Sequence, residues 1–333
     1  MPLNYRTFVI ANPKAGAGAV REEWDLLERL LRARLPELDF AFTEGPGHAS
    51  LLAREALKND WEMIVAVGGD GTINEVINGF YDSPEASSIY AIDDQGWVRR
   101  RRKEPPEPVK PQAVLGLLPL GTGGDFRRSL GLMGGHRETV EHLSGQETRT
   151  IDLGEVAFVD DEGCLTTRYF VNIASAGFSG AVDRIANDSW KGLGARPSFL
   201  WATARAFMRY KNVPIELRLD DTVEITDRMN NVVVANGEFF GGGMWIAPGA
   251  SLDDGKFQVV IMGDLSRREA VGSAWGIYQG KHLKNKKIYR RRASRVSARV
   301  TGSRPALLDI DGEAPGRLPA LWINHHRTLR LKV

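Results

Sequence analysis

The segment Val65-Ala-Val-Gly-Gly-Asp-Gly-Thr-Ile-Asn-Glu75 carries the residue types that polyphosphate binding needs, in a workable order. A continuous apolar run ends in two glycines, and a helical stripe begins within a few residues. Without a Cβ, Gly68, Gly69 and Gly71 let backbone N–H groups come close to phosphate oxygens. The N-terminus of the following helix adds positive potential at the same point. Asp70 stands among these donors. A carboxylate beside a polyphosphate repels it unless a cation or a water lies between, so Asp70 implies Mg²⁺ or a bound water. A bare strand-to-helix turn is the plain alternative, and glycines grouped with an acid and a threonine speak against it.

Two further turns share this design. Phe8-Val-Ile-Ala-Asn-Pro-Lys-Ala-Gly16 sets Asn12 and Lys14 after one apolar run, and Leu117-Leu-Pro-Leu-Gly-Thr-Gly-Gly-Asp-Phe126 sets Thr122 and three glycines after another. Either turn alone reads equally well as a structural one. The elements that would position all three alternate between strand and helix. Thr7–Ala11, Leu38–Phe42, Met63–Val67 and Ala113–Pro119 read as strands, the last two apolar throughout, as in strands covered on both faces. Val20, Trp24, Leu27 and Leu31 recur at helical spacing, as do Ile73, Val76, Ile77 and Phe80. Such alternation predicts a parallel sheet with helices on both faces. All its strand C-termini open on one edge, where ligands bind, so the three turns converge on one ligand.

From about Thr148 the pattern changes. Thr150–Val159, Thr166–Ala174, Ile215–Leu219, Asn231–Asn236, Lys256–Met262 and Arg295–Thr301 are short runs rich in β-branched residues. Ser266-Arg-Arg-Glu269 has the form of a capping box ahead of a helix. The expected architecture is an α/β domain with a parallel sheet over residues 1–147, followed by a mostly antiparallel β-sandwich domain over residues 148–333. The Pro-rich, charged segment 83–112 reads as a surface insertion with a hairpin at Asp93–Gly96. It precedes the third turn, where it is placed to cover the cleft or take a partner.

The composition, 42% apolar and 26% charged over 333 residues, is that of an ordinary globular protein too long for one small core. No apolar stretch nears the roughly 18–20 residues that spanning a bilayer requires. One cysteine, Cys164, and the lack of a signal-peptide pattern point to the cytoplasm. The net charge of +2 conceals an imbalance, because Val271–Leu308 holds ten Lys/Arg and no Asp/Glu. Arg99–Lys103 is a second run of cations. Such clusters suit anionic partners, or else a solvated face. They lack the interleaved aromatics of a single-strand groove, which argues against nucleic acid.

Asn12-Pro13-x-x-Gly16, Gly68-Gly-Asp-Gly-Thr72 and Gly121-Thr-x-x-Asp125, in that order, resemble the diacylglycerol kinase catalytic family, which includes sphingosine kinases and bacterial lipid kinases. The resemblance continues through Asn172-Ile-Ala-Ser-Ala-Gly177, Val234-Ala-Asn-Gly-Glu238, Ala247-Pro-Gly-Ala-Ser-Leu-Asp-Asp-Gly255 and Leu308-Asp-Ile-Asp-Gly-Glu313. It implies a soluble ATP-dependent kinase acting on a hydroxyl of a lipid such as diacylglycerol. It further implies an ATP site lined by Gly68, Gly69, Asp70, Gly71, Thr72, Ile73 and Asn74, with Thr43 and Thr122 on the nucleotide and Asn12 at its mouth. Glu313 resembles the family's proton acceptor, with Asp311 a rival for the base or for a metal-linked water. A general base must lie within hydrogen-bond reach of the hydroxyl. The turn bearing Glu313 falls between two strand-like runs, where a side chain can project toward the other domain. Asp254 resembles a metal ligand, completed by the backbone carbonyls of Ser251 and Lys256. Oxygen donors in a tight turn suit a hard cation, although Asp-Asp-Gly is commonly just a hairpin.

Two positions depart from the family pattern. Gly124 stands where Asn is common, and Ala15 where Ser is common. Lys14 is a candidate phosphate contact. The cations of Lys281–Arg292 suit an anionic membrane surface. Trp190, Phe199, Trp201 and Phe207 either line an acyl channel or belong to the core. The rival readings are a nicotinamide-dinucleotide kinase, which shares the Gly-Gly-Asp-Gly-Thr turn, and a non-catalytic regulator that binds nucleotide or lipid. The identity of the lipid and the oligomeric state leave no mark in the sequence.

Overall fold

Strands β1 (Thr7–Ala11), β2 (Leu38–Phe42) and β3 (Met63–Gly68) run parallel, and β6 (Val114–Pro119) joins them beside β3. Between them, β4 (Tyr90–Ile92) and β5 (Val98–Arg100) form a separate hairpin. The computed structural model describes residues 5–82, 85–101, 106–121, 123–188, 201, 203 and 205–333. Helices cover both faces of the parallel strands, which is why β3 and β6 carry almost no polar side chain. On one face Trp24, Leu27 and Leu31 of the helix Trp24–Arg32 meet Val140 and Leu143 of the helix His136–Ser144. On the other, Ala49, Ala53 and Ala56 of the helix His48–Lys58 pack with Ile73, Val76 and Ile77 of the helix Asp70–Gly79.

The second half is built from β7 (Thr148–Asp160), β8 (Leu165–Phe170), β9 (Ile173–Gly177), β10 (Val213–Leu219), β11 (Val223–Met229), β12 (Asn231–Ala235), β13 (Phe239–Phe240), β14 (Met244–Trp245), β15 (Phe257–Met262), β16 (Ile288–Ala293), β17 (Arg295–Val300), β18 (Leu308–Ile310) and β19 (Gly316–Lys332). One sheet has the order β16-β15-β12-β9-β18 and is antiparallel throughout. The other carries β11, β10, β17, β19, β7 and β8. Phe158, Phe170, Phe257 and Trp322 fill the space between the sheets. Each such side chain taken out of water stabilises the fold by about 1.5–3 kcal/mol.

The long strand β19 joins the two halves. It pairs with β7 along most of its length, and near its end Leu331 lies parallel to Leu115 of β6. The order β11-β10-β17-β19-β6-β3-β1-β2 is therefore continuous from one half of the molecule to the other. This shared sheet sets the glycine turns of the first half against the loops of the second.

The hairpin expected within the insertion is present, and it packs on the second half of the chain. It buries Tyr90 and Val98 against Ala157 and Leu321 of the C-terminal sheet. Trp97 is buried, with the guanidiniums of Arg218 and Arg299 at 4.2 and 4.7 Å from its ring centroid. Tyr90 Oη donates to Glu155 Oε1 at 2.6 Å. Three aromatic or apolar side chains in so short a hairpin find more area to bury on that sheet than at a polar cleft. Among the described residues, no helix is long and apolar enough to cross a membrane.

Candidate active site

The three turns leave the same edge of the parallel sheet. Asn12 N donates to Val67 O, Leu120 N to Gly68 O and Thr43 N to Ala11 O, each at 2.9 Å. The first and third turns, and the chain beyond β2, thus each start from a closed ladder rung. Asn12 Nδ2 donates to Thr72 Oγ1 at 3.0 Å, and Asn12 Oδ1 accepts from Lys14 N at 3.0 Å. The first turn is thereby tied to the second through a side chain that bonds in both directions.

Elsewhere the turns touch backbone to backbone. A Cβ on Gly121 would stand 2.4 Å from Gly69 Cα, and one on Gly16 would stand 2.6 Å from Leu120 O. Gly16 also has a φ of +61°, which disfavours any side chain. At Gly68 a Cβ would meet Thr72 Oγ1 at 2.6 Å. These contacts explain the glycines without any ligand, and they bring all three turns to one place.

Asp70 has partners of its own. Its Oδ2 accepts from Asp125 N at 3.0 Å and its Oδ1 from Phe126 N at 3.3 Å, at the start of the helix Asp125–Leu130. The acid in the second turn therefore caps the helix that follows the third. Each oxygen keeps a further lone pair for a water or a cation. Asp125 is buried and accepts from Arg128 Nη1 at 2.8 Å and Gly242 N at 2.7 Å. Burial pushes its carboxyl above the ordinary range, and the nearby Asp70 adds to this.

The remaining residues of the second turn divide by direction. The Thr72 hydroxyl is buried against Asn12. Ile73 points into the core, so only its backbone faces the turn. Asn74 is buried, and its Nδ2 donates to Tyr169 O and to Asp311 Oδ2, both at 2.9 Å. It ties the helix to the second half of the chain. Thr43 sits half-buried just beyond β2, Lys14 is exposed, and Thr122 lies outside the described residues.

Asp311 and Glu313 share one tight turn but have different surroundings. Ile310 N donates to Glu313 O at 2.8 Å, and Glu313 N donates to Ile310 O at 3.1 Å. The Asp311 carboxyl accepts from Ile173 N at 2.9 Å, Asn74 Nδ2 at 2.9 Å and Val171 N at 3.3 Å. Burial pushes its carboxyl up to about 7, against the pull of those donors. Asp309 Oδ1 accepts from Gly312 N at 2.9 Å and pins the same turn from below. Glu313 is partly exposed. Arg168 Nη1 donates to its Oε2 at 2.5 Å, while its Oε1 lies 4.0 Å from where a Cβ on Gly71 would stand. The carboxylate of the last loop thus reaches the glycine turn of the first domain. Arg168 gave no signal in the sequence. Asp125 stood inside a recognised motif without an assigned role.

The departure at Gly124 has a local cause. The residue has a φ of +62°, and a Cβ there would come 2.7 Å from Arg127 Nε. An asparagine at this position would have to displace Arg127.

In the loop Ser251–Lys256, expected to hold a metal ion, the carboxylates have protein partners. Asp254 makes an ion pair with Arg292 and accepts from Lys256 N at 3.0 Å. The neighbouring Asp253 pairs with Arg149 at 3.0 Å and accepts from Ser251 Oγ at 3.0 Å. Gly255 N donates to the buried Asp152 at 2.7 Å. A guanidinium therefore stands beside the carboxylate expected to hold the ion.

Comparison with known proteins agrees with this geometry. Residues 6–156 match the diacylglycerol kinase catalytic domain, and residues 172–332 match the YegS C-terminal NAD kinase beta sandwich-like domain. The first half of the chain is therefore a diacylglycerol kinase catalytic domain, followed by a YegS-like C-terminal domain. It is 26% identical to a diacylglycerol kinase of Staphylococcus haemolyticus (strain JCSC1435), covering 97% of this chain and 86% of that one. It is also 26% identical to a diacylglycerol kinase of Bacillus subtilis (strain 168), covering 98% and 95%. Two solved structures from Bacillus anthracis str. Sterne share the fold. One is 22% identical with a TM-score of 0.71, covering 99% of this chain and 98% of that one. The other, described as a diacylglycerol kinase, is 19% identical with a TM-score of 0.66, covering 98% and 96%. The chain is an ATP-dependent kinase with an alcohol group as acceptor.

Proposed function

We propose that the enzyme transfers the γ-phosphoryl group of ATP to the hydroxyl of a lipid such as diacylglycerol, in the cleft between the glycine turns and the Ile310–Glu313 turn. The observation that carries this reading is the approach of Glu313 Oε1 to Gly71 across the two halves of the chain. The triphosphate would lie along the amides of Gly68–Thr72, at the N-terminus of the ten-residue helix Asp70–Gly79. Asn12 and Thr43 flank that position.

Phosphoryl transfer depends on positioning and charge neutralisation more than on covalent chemistry. Glu313 accepts the proton of the attacking hydroxyl at Oε1. Arg168 holds Oε2 and so sets which oxygen faces the acceptor. Asp311 acts as a positioning residue, because its three hydrogen bonds lock the turn beneath Glu313 and tie it to Asn74. Mg²⁺ keeps most of its waters in such sites and takes one or two carboxylates plus phosphate oxygens. Asp70, with a lone pair free on each oxygen, fits that role, and the ion would offset phosphate charge there. The cations of Lys281–Arg292 suit an anionic membrane surface, where the acceptor resides.

Labelled ATP supplied with a panel of lipids in mixed micelles and with nicotinamide dinucleotide, with products identified by mass, tests this reading. It predicts a labelled lipid phosphate. Label on the dinucleotide, or on no acceptor, overturns it.

A further inference from the structure

The helix Arg267–Ile277 lies on the outer face of the five-stranded sheet, with Ala270 and Ile277 packed beside Val260, Met262 and Ile288. Ser266 and Glu269 close a capping box at its start. On its other face stand Val271, Trp275 and Tyr278, at spacings of four and three, with 53%, 84% and 55% of their surface exposed. A helix on a globular surface normally turns a polar stripe to water. Here an indole stands almost fully in solvent. Met208, also exposed, extends the patch, since its carbonyl accepts from Arg267 Nη2 at 2.8 Å.

Cations surround this stripe. Arg268 lies one turn before Val271, Lys281 and Lys284 follow Tyr278, and Lys286 and Arg290 lead into and along β16. Lys287 and Arg292 are paired with Glu269 and Asp254, whereas the other five make no ion pair with a carboxylate among the described residues.

We propose that this face docks the enzyme on an anionic bilayer, with Val271, Trp275 and Tyr278 entering the boundary between headgroups and acyl chains and the five cations meeting lipid phosphates. An apolar stripe ringed by unpaired positive charge is the arrangement that holds a helix in the plane of such an interface. Trp and Tyr favour that depth because each has an apolar body and a polar edge. The patch is also joined to the cleft. The β13–β14 hairpin reaches from Gly242, whose N–H donates to Asp125 at 2.7 Å, to Trp245, which lies against Gly280 at the end of the docking helix. Docking here gives the third glycine turn a fixed relation to the membrane.

The purpose of this surface rests on the lipid-acceptor reading, but its test needs no turnover. The full chain is sedimented with vesicles of phosphatidylcholine alone or with phosphatidylglycerol added. Binding is expected only with the anionic lipid, and it should weaken as salt screens the charges. Trp275→Glu should abolish it, and Lys281→Ala with Lys284→Ala should weaken it by about fivefold per cation. Val223→Glu alters an exposed apolar residue on β11, at the edge of the other sheet, and should leave binding unchanged. Circular dichroism confirms that each variant is folded. The proposal is overturned by wild-type binding of Trp275→Glu, by equal binding to neutral vesicles, or by a lipid-free dimer that depends on Trp275. Intact vesicle binding with no lipid phosphorylated sinks the acceptor reading and leaves the docking surface standing.

Discussion

Gly121→Ala is the perturbation whose size follows most directly from the geometry. The added methyl carbon would stand 2.4 Å from Gly69 Cα. Carbon atoms in contact prefer about 3.5–4.0 Å, so the two turns must part by about 1–1.5 Å. The atom met is backbone, so no rotamer change relieves the clash. Overpacking of this kind costs about 1–3 kcal/mol. In a chain of this size that lowers Tm by only about 2–4 °C per kcal/mol. Catalysis is more sensitive, since a misplacement of about 1 Å costs about 100-fold. The variant is therefore expected to stay folded and to lose about 100-fold in kcat/KM for ATP. Steady-state kinetics at saturating lipid, with a thermal melt on the same preparation, measures both. Gly45→Ala is the control, because a Cβ there meets nothing within 4 Å. Wild-type kcat/KM in Gly121→Ala would refute the idea that the contact between the turns sets the nucleotide site.

Three further outcomes are expected. Glu313→Gln should lower kcat by about 10²–10⁴-fold with ATP affinity retained, and wild-type turnover would remove the base from this account. The Asp311 carboxyl sits at about 7 in the fold, above its unfolded value, so its ionisation opposes folding. Its contribution to stability is full at low pH and falls as pH rises from about 4 to about 7, and melts of Asp311→Asn should lack that fall. The same variant leaves one of three donors facing an amide, at a cost of about 1–3 kcal/mol at every pH. Asp254→Asn should lower stability slightly through loss of the Arg292 pair, and titrating activity with Mg²⁺ in the same variant tests the expected metal role of that loop: a raised Mg²⁺ requirement supports it, and an unchanged one removes it.

Strands with continuous apolar runs were legible in the sequence because both faces are covered. Met63–Val67 is found within β3, and Thr7–Ala11 and Leu38–Phe42 have their expected limits. The Thr166–Ala174 run instead breaks at Val171 and Asn172 into β8 and β9, which belong to different sheets. β16 was hidden because Arg290, Arg291 and Arg292 interrupt its alternation, and an edge strand tolerates such charge. The reach of β19 was also hidden. Its polar stretch Asn324–Arg327 looks like a loop, while its pairing with β6 depends on a contact far away in sequence.

The candidate site divides in the same way. The glycine turns carry local signals, since each must follow a strand and avoid a Cβ. The approach of Glu313 to Gly71 has no local signal, and only family resemblance suggested that residue. The partners of Asp254 and Glu313 are arginines distant in sequence, Arg292 and Arg168. Long-range ion pairs leave no periodicity to read. The hairpin of the insertion was legible from its turn residues Asp93–Gly96, whereas the sheet on which Tyr90 and Val98 pack was not.

A crystal structure with a non-hydrolysable ATP analogue measures the central claim most directly. The account predicts phosphate oxygens within hydrogen-bond distance of the amides between Gly68 and Thr72, and the terminal phosphate on the side of Gly71 that faces Glu313. An analogue bound elsewhere, or phosphates with no contact to those amides, would contradict it.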